Sequence, residues 1–229
     1  MTVVVLLGAP GAGKGTQAPF LAERLRVPIL ASGDLLRAAV ATGSELGREA
    51  DRHMSRGQLV PDDTIVRVFL ERLARPDAAG GAILDGFPRT AAQAAALDRA
   101  LAGQDRRVDR ALLIDVPVED LVRRMADRRI CESNGHVYNI ATNPPAVPGR
   151  CDLDGSALVQ RPDDREATVR ARMTQQLAPL TDVVEHYRRA GVLATVDGRQ
   201  PIDVVQSELS AALAPGGAGR SPAGTAERR

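Results

Sequence analysis

The first sixteen residues constrain this chain more than any other segment. Thr2–Gly8 is a continuous run of β-branched and leucine side chains, the pattern of a strand buried on both faces. It passes directly into Gly8-Ala9-Pro10-Gly11-Ala12-Gly13-Lys14-Gly15-Thr16, and a helix-length segment, about Gly15–Arg26, follows. The loop fits the G-x-x-x-x-G-K spacing, with the hydroxyl residue one place late at Thr16 because Gly15 follows the lysine. Glycines here let consecutive backbone N–H groups turn inward as an anion-binding nest, and the helix N-terminus adds partial positive charge. Lys14 then reaches the β- and γ-phosphates of a nucleotide. The bland alternative is a glycine-rich strand–helix turn without a ligand. The strand before it, the helix after it and the lysine in register speak against that. Of the 30 basic residues Lys14 is the only lysine, so a chain that uses arginine everywhere else keeps a compact ammonium at this one place.

Beyond the loop, short apolar runs alternate with amphipathic ones. Gly81–Asp85, Ala111–Val116 and Gly191–Val196 read as further strands. The segments Ser32–Ala41, Asp62–Arg75, Thr90–Ala102, Val118–Arg129 and Asp163–Arg189 read as helices, with Thr90 and Asp163 as N-caps and Gly191 as a stop. This alternation predicts an α/β chain with a parallel sheet covered by helices on both faces. Two stretches break the rhythm. Ala31–Val60 holds only short helical patterns, and Arg128–Asp164 is rich in Gly, Pro, Asn and Asp. From Pro215 onward the chain carries almost no bulky apolar side chain, so residues 215–229 are expected to be a disordered tail.

Charge and composition exclude several classes. Thirty basic against 29 acidic residues give a net charge of +1, without the basic excess of a polyanion-coating protein, so no nucleic-acid partner is expected. No apolar run approaches ~20 residues, so neither a membrane span nor a membrane partner is expected. The first residues lack a charged n-region and read as a strand, not a signal peptide. Two cysteines do not make a secreted disulfide scaffold. The expected location is the cytoplasm.

Several motifs then occur in one order. After the loop come Ser32-Gly33-Asp34-Leu35-Leu36-Arg37, Asp85-Gly86-Phe87-Pro88-Arg89-Thr90 and Gln93. Arg128-Arg129, Gly135-His136-Val137-Tyr138, Asn143-Pro144-Pro145, Arg161-Pro162-Asp163-Asp164, Arg172 and Asp197-Gly198 follow. Over about residues 1–210 the chain resembles the adenylate kinases. The resemblance implies a P-loop three-layer fold with a five-stranded parallel sheet and two mobile insertions. These are a nucleotide-monophosphate-binding insertion at about 31–60 and a lid at about 127–164, within one kinase domain spanning 1–214. It implies Mg²⁺-dependent transfer of a phosphoryl group from ATP to AMP, giving two ADP, by a monomer.

The same resemblance assigns roles. Gly11, Ala12, Gly13, Lys14, Gly15 and Thr16 would hold ATP, with Arg124, Arg128, Val137, Tyr138 and Gln200. Ser32, which replaces a commoner threonine, would bind AMP with Arg37, Gln58, Leu59, Val60, Gly86, Arg89, Gln93, Arg161 and Arg172. Lys14, Arg89, Arg128, Arg161 and Arg172 would clamp the transferring group, because arginine's planar fork matches phosphate oxygens. Asp85 ends an apolar strand, the place of a carboxylate that holds Mg²⁺ through water; a turn or capping aspartate is its alternative. Gln93 resembles the amide that reads the adenine edge, offering a donor and an acceptor together. Asp163 and Asp164 resemble a lid-hinge acidic pair; N-capping of the long helix is their competing role, and both could hold at once.

Some adenylate kinases hold the lid with zinc, through four Cys or three Cys and one Asp. Here the four places are Cys131, Asn134, Cys151 and Asp154, and a neutral amide is a poor substitute for thiolate. Three ligands remain, Cys131, Cys151 and Asp154, so the expectation is a hydrogen-bonded lid without zinc, with His136 exposed. Two rivals stand beside this reading. A related kinase could use GTP or act on UMP or CMP; the long lid and Gln93 favour AMP. A nucleotide-dependent switch needs no second phosphate clamp, which Arg37 and Arg89 supply.

Overall fold

The computed structural model describes residues 2–54, 60–160, 164 and 166–213. Gln58, Leu59, Arg161, Asp163 and the tail from 215 lie outside them. The chain divides into two compact units.

The first unit is built on five parallel strands, β1 (Thr2–Leu7), β2 (Ile29–Ala31), β3 (Gly81–Asp85), β4 (Arg110–Asp115) and β8 (Leu193–Asp197), in the order β2-β3-β1-β4-β8. The apolar run at the N-terminus takes the central place because it needs cover on both faces. Val3, Val5 and Leu7 enter one core cluster with Ala82, Leu84 and Ala111. That cluster is closed by α4 (Asp62–Leu73), α5 (Ala91–Ala102) and the end of α7 (Glu166–Arg189), through Phe69, Leu97, Leu101, Val183 and Tyr187. Val4, Leu6, Ile83, Leu112 and Ile114 are equally buried and have the opposite parity, toward the side where α1 (Lys14–Leu25) packs on β1 and β3. The helix α8 (Ile202–Ala212) lies against α1 and β8. Phe69 stacks on Phe87 with ring centroids 4.1 Å apart, joining α4 to the turn after β3.

Periodicity misses β2, only three residues long and preceded by Pro28, and it misses α8. Other boundaries move by a few residues for visible reasons. Thr90 caps α5 by accepting the N–H of Gln93. Gly191 takes φ +70° after α7. The helix α6 (Val118–Ala126) ends three residues before the expected Arg129, because Arg128–Cys131 leaves as a strand.

The second unit holds Ala9–Ala12 and Val116–Ala178. Its stretch rich in Gly, Pro and Asn forms an antiparallel sheet in the order β6-β5-β7, from β5 (Arg128–Cys131), β6 (Val137–Asn139) and β7 (Leu158–Val159). Cys131, Tyr138 and Cys151 form the small buried cluster of this sheet, while Leu121, Val122, Met125, Val169 and Met173 are buried on the unit's helices.

In the first unit α2 (Ser32–Ala41) and α3 (Glu45–Met54) form a tight helical pair. Ser44 caps α3 by accepting the Gly47 N–H at 3.0 Å. A Cβ on Gly47 would lie 1.9 Å from the Ala39 carbonyl oxygen, a backbone atom that cannot give way. In an isolated helix, glycine to alanine gains about 1 kcal/mol. Here overpacking reverses the sign, by about 1–3 kcal/mol. Gly47→Ala should therefore lower the melting temperature by several degrees, and a rise would contradict the close approach.

Candidate functional site

The loop between β1 and α1 begins where the central strand ends. Gly8, Gly11 and Gly13 all take positive φ, at 149°, 85° and 104°. Gly13 caps α1 in the left-handed region, and its carbonyl accepts from the N–H groups of Thr16 and Gln17. Lys14 is the first residue of the helix. Its ammonium is enclosed while its stem keeps some exposure, and Nζ donates to the Gly8 carbonyl at 2.6 Å. Burial holds the Lys14 pKa below the usual lysine range; Asp85 partly offsets this, and Arg89 adds to it. Asp85, at the end of the neighbouring strand β3, has its carboxyl raised by burial, against the pull of Lys14 and Arg89. The two strands thus place an ammonium and a carboxylate in one partly dehydrated field.

A second group gathers around the turn after β3. Gly86 takes φ +71°, and a Cβ there would meet Ser32 Oγ at 3.0 Å and Arg89 Nη2 at 3.3 Å. Arg89 donates through Nε to the Gly86 carbonyl at 2.7 Å and through Nη2 to Ser32 Oγ at 3.0 Å. Four predicted residues, Ser32, Asp85, Gly86 and Arg89, therefore come together. Gln93 is buried close by, its amide bonded to the Arg89 N–H and to Asp62, a residue the sequence reading passed over as a helix-start acid. Arg37 is exposed and paired with Asp34 at 2.5 Å. Val60 is half-buried, packed against the main core. Gln200 lies in the exposed turn after β8.

In the second unit, Arg128 donates through Nε to Asp164 at 2.8 Å and through Nη2 to its other oxygen. Asp164 is fully buried and accepts from Arg128 through both oxygens, so it is the partner of that arginine. Arg124 is in the last turn of α6 and Arg172 lies on α7. Val137 is 58% exposed. The Tyr138 side chain points inward: its hydroxyl lies 3.4 Å from Cys151 Sγ and accepts the Asp152 N–H at 2.8 Å. A nucleotide could use the backbone of Tyr138 but not its ring.

The lid brings a fourth titratable side chain to the three candidate ligands. His136 is not a free surface residue, because its Nδ1 lies 3.2 Å from Cys151 Sγ and 3.7 Å from Asp154 Oδ2. Cys131 Sγ is 3.2 Å from Asp154 Oδ2, and one ligand atom from each of Cys131, His136, Cys151 and Asp154 lies within 4.8 Å of the others. Two matching turns present them. Gly135 N–H donates to the Cys131 carbonyl at 2.9 Å and Gly155 N–H to the Cys151 carbonyl at 2.8 Å. Asn134 donates its side-chain amide to Asp154, whose carboxyl is held well below its usual range by that bond, the Ser156 N–H and Cys131. From the sequence His136 is expected to be an exposed lid residue; the fold instead half-buries it and turns its ring toward Cys151 and Asp154.

Comparison with known proteins follows the same lines. Residues 6–192 match the family described as adenylate kinase. The chain is 46% identical over 210 residues to an adenylate kinase of Thermodesulfovibrio yellowstonii, covering 92% of this chain and 98% of that one. It is 46% identical over 213 residues to one of Moorella thermoacetica, covering 92% and 97%, and 43% identical over 210 residues to one of Archaeoglobus fulgidus, covering 92% and 97%.

The lone lysine makes its electrostatics measurable. Acylation of Lys14, followed as one modified peptide across pH, should show a midpoint below 10.5, the ordinary lysine value. Asp85 favours the ammonium form, so Asp85→Asn should move that midpoint further down. A midpoint at or above 10.5 would mean the ammonium is well solvated.

Proposed function

We propose a division of labour among these residues, on the premise that the chain belongs to the adenylate kinase family. The protein catalyses reversible Mg²⁺-dependent transfer of a phosphoryl group from ATP to AMP, giving two ADP, and so serves adenine nucleotide homeostasis. What supports the assignment of residues is one juxtaposition: the Lys14–Asp85 pair and the Ser32–Gly86–Arg89 group stand at the ends of adjacent strands. One suits a polyphosphate and the other a second phosphate, which a switch with a single nucleotide would not need.

In this reading the N–H groups of Gly11–Thr16 cradle the ATP phosphates, and Lys14 leaves the Gly8 carbonyl for the transferring phosphate. Asp85 would hold Mg²⁺ through water, and one half-buried carboxylate suits that ion, which is bound by few protein carboxylates. When bound, Mg²⁺ neutralises charge that develops on the phosphates. Arg37 and Arg89 hold the AMP phosphate, Ser32 supports Arg89, and Gln93 reads the base with Gln58, Leu59 and Val60 around it. Arg124, Arg128, Val137, the backbone of Tyr138 and Gln200 serve the donor nucleotide, while Arg161 and Arg172 clamp the group in flight. No general base is required, because positioning and electrostatics carry the step. The insertions at 31–60 and 127–164 serve AMP and ATP respectively within one catalytic domain, acting as a cytoplasmic monomer. No helix among the described residues is long and apolar enough to cross a membrane.

Lys14→Arg keeps the charge, so a purely electrostatic role would tolerate it. The glycine loop has to admit a wider head group, and a misplacement of about 1 Å costs on the order of 100-fold in rate. In a coupled assay with ATP and AMP, Lys14→Arg should lose at least about that factor in kcat with an unchanged melting temperature. Normal turnover would remove Lys14 from the mechanism.

The lid reading changes once His136 is counted. A tetrahedral zinc site with ordinary bond lengths has ligand–ligand edges of about 3.4–3.8 Å; three of the edges here are 3.2, 3.2 and 3.7 Å, and the whole set lies within 4.8 Å, so an ion would have to draw the looser edges in. Cys131, His136, Cys151 and Asp154 would hold the ion, with Asn134 orienting Asp154 from outside, and the ion would cross-link the two turns without entering the chemistry. Protein loaded with zinc and desalted should retain close to one zinc per chain, and His136→Ala should lose most of it. Retention well below half an equivalent by the unaltered protein would return the lid to hydrogen bonds.

A further inference from the structure

The amide of Gln93 is held at both ends. Its Oε1 accepts the Arg89 N–H at 2.7 Å, and its Nε2 donates to Asp62 Oδ1 at 2.7 Å. Asp62 is itself fixed, because its Oδ2 accepts the Thr90 hydroxyl at 3.1 Å while Thr90 Oγ1 accepts the Gln93 N–H at 3.1 Å. The Gln93 side chain is buried, with 5% exposure for the residue, so water does not compete freely for these bonds. A backbone N–H only donates and an ionised carboxylate only accepts. Turning the amide through 180° would set its oxygen against Asp62 and its NH₂ against the Arg89 N–H. Both bonds would be lost and two like poles would meet at each end, and the unpaired amide would be the buried Gln93, although Asp62 and Arg89 are themselves exposed.

A carboxamide carries two acceptor sites and two N–H donors. The clamp consumes one of each and leaves one acceptor on Oε1 and one donor on Nε2, in an order that cannot be exchanged. A 6-aminopurine edge presents a donor at the exocyclic amine and an acceptor at N1, which complements that order. A 6-oxopurine edge presents an acceptor at O6 and a donor at N1, so it meets the clamped amide with both polarities wrong. An unclamped glutamine would turn over and accept either base.

We propose that Asp62 is a specificity-determining positioning residue: with the Arg89 N–H it locks the Gln93 amide, so that the acceptor site takes a 6-aminopurine monophosphate and rejects a 6-oxopurine one. This rests on the reading of Gln93 as the amide that faces the acceptor base. The lock consists of four hydrogen bonds among Asp62, Arg89, Thr90 and Gln93, all within the first unit.

The test compares AMP with inosine monophosphate, which differs only at the 6-position and N1, as acceptors at saturating ATP. The variants are Asp62→Asn, Asp63→Asn and Gln93→Ala. An asparagine at 62 can turn its own amide to suit either orientation of Gln93, so the ratio of kcat/KM for AMP over inosine monophosphate should fall at least tenfold. The change should lie in the acceptor KM, with kcat for AMP and the KM for ATP within about threefold of the unaltered protein. Asp63→Asn removes a charge from the same first turn of α4 and should leave the ratio alone. Calorimetric binding of AMP and of inosine monophosphate without ATP gives the same ratio even if a variant turns over poorly. An unchanged ratio in Asp62→Asn, or an equal fall in Asp63→Asn, overturns the lock. If Gln93→Ala leaves the AMP KM unchanged, it is the placing of Gln93 at the base that fails. If Gln93→Ala erases discrimination and Asp62→Asn does not, only the lock fails.

Discussion

An ammonium group taken out of water at the end of the central strand is the constraint around which the rest of the molecule is arranged. Lys14 Nζ rests on the Gly8 carbonyl, beside a carboxylate that burial also disfavours in its charged form. Each charge is poorly hydrated, and each relieves the other in part. Holding them together requires β1 and β3 to be adjacent and in register, which they are from Thr2–Gly81 to Leu6–Asp85. It also requires the chain to leave β1 through residues of positive φ, so that the first helical residue returns its side chain to the strand's own end. An anion that brings its own cation is suited to such a place: the ammonium gains a partner and the carboxylate gains a hydrated metal.

The other polar groups obey a related rule. Arg37 is paired with Asp34, Arg89 with Ser32 and the Gly86 carbonyl, Arg128 with Asp164, and Gln93 with Asp62 and the Arg89 N–H. Long flexible side chains are thereby ordered before any ligand arrives, which lowers the conformational entropy that binding must remove. The pairs differ in how firmly they are held. Arg37 and Asp34 are well exposed, so their attachment is weak and readily exchanged. Asp164 is fully buried, and losing Arg128 would strand a carboxylate in a dry environment. Arg128 is therefore as much a structural member of its unit as a candidate phosphate ligand.

The short sheet of the second unit shows how a small region holds together with little apolar surface. Its buried cluster is two cysteines and one tyrosine, and the polar atoms around them form a set in which thiols, imidazole, carboxylate and phenol contact one another. The two glycine-closed turns repeat the same backbone bond twenty residues apart and bring the thiols to one place. That arrangement holds together as a hydrogen-bonded cluster of side chains from the two turns.

The sequence by itself determined the glycine loop, the strand it follows, the lysine and the alternation that requires a helix-covered parallel sheet. These are set by backbone conformation and by burial of contiguous residues, and both are local. The strand β2 was not legible, because three residues carry too little pattern and become a strand only by pairing with β3. Neither was the short sheet of β5, β6 and β7, whose strands alternate weakly and are held by turns. Asp62, Gln93 and Thr90 stand on two helices up to 31 residues apart in sequence, and His136 reaches Cys151 from 15 residues away. Tertiary structure decided these contacts, because a hydrogen bond between side chains on different elements depends on how the elements pack. No spacing rule along one chain encodes that.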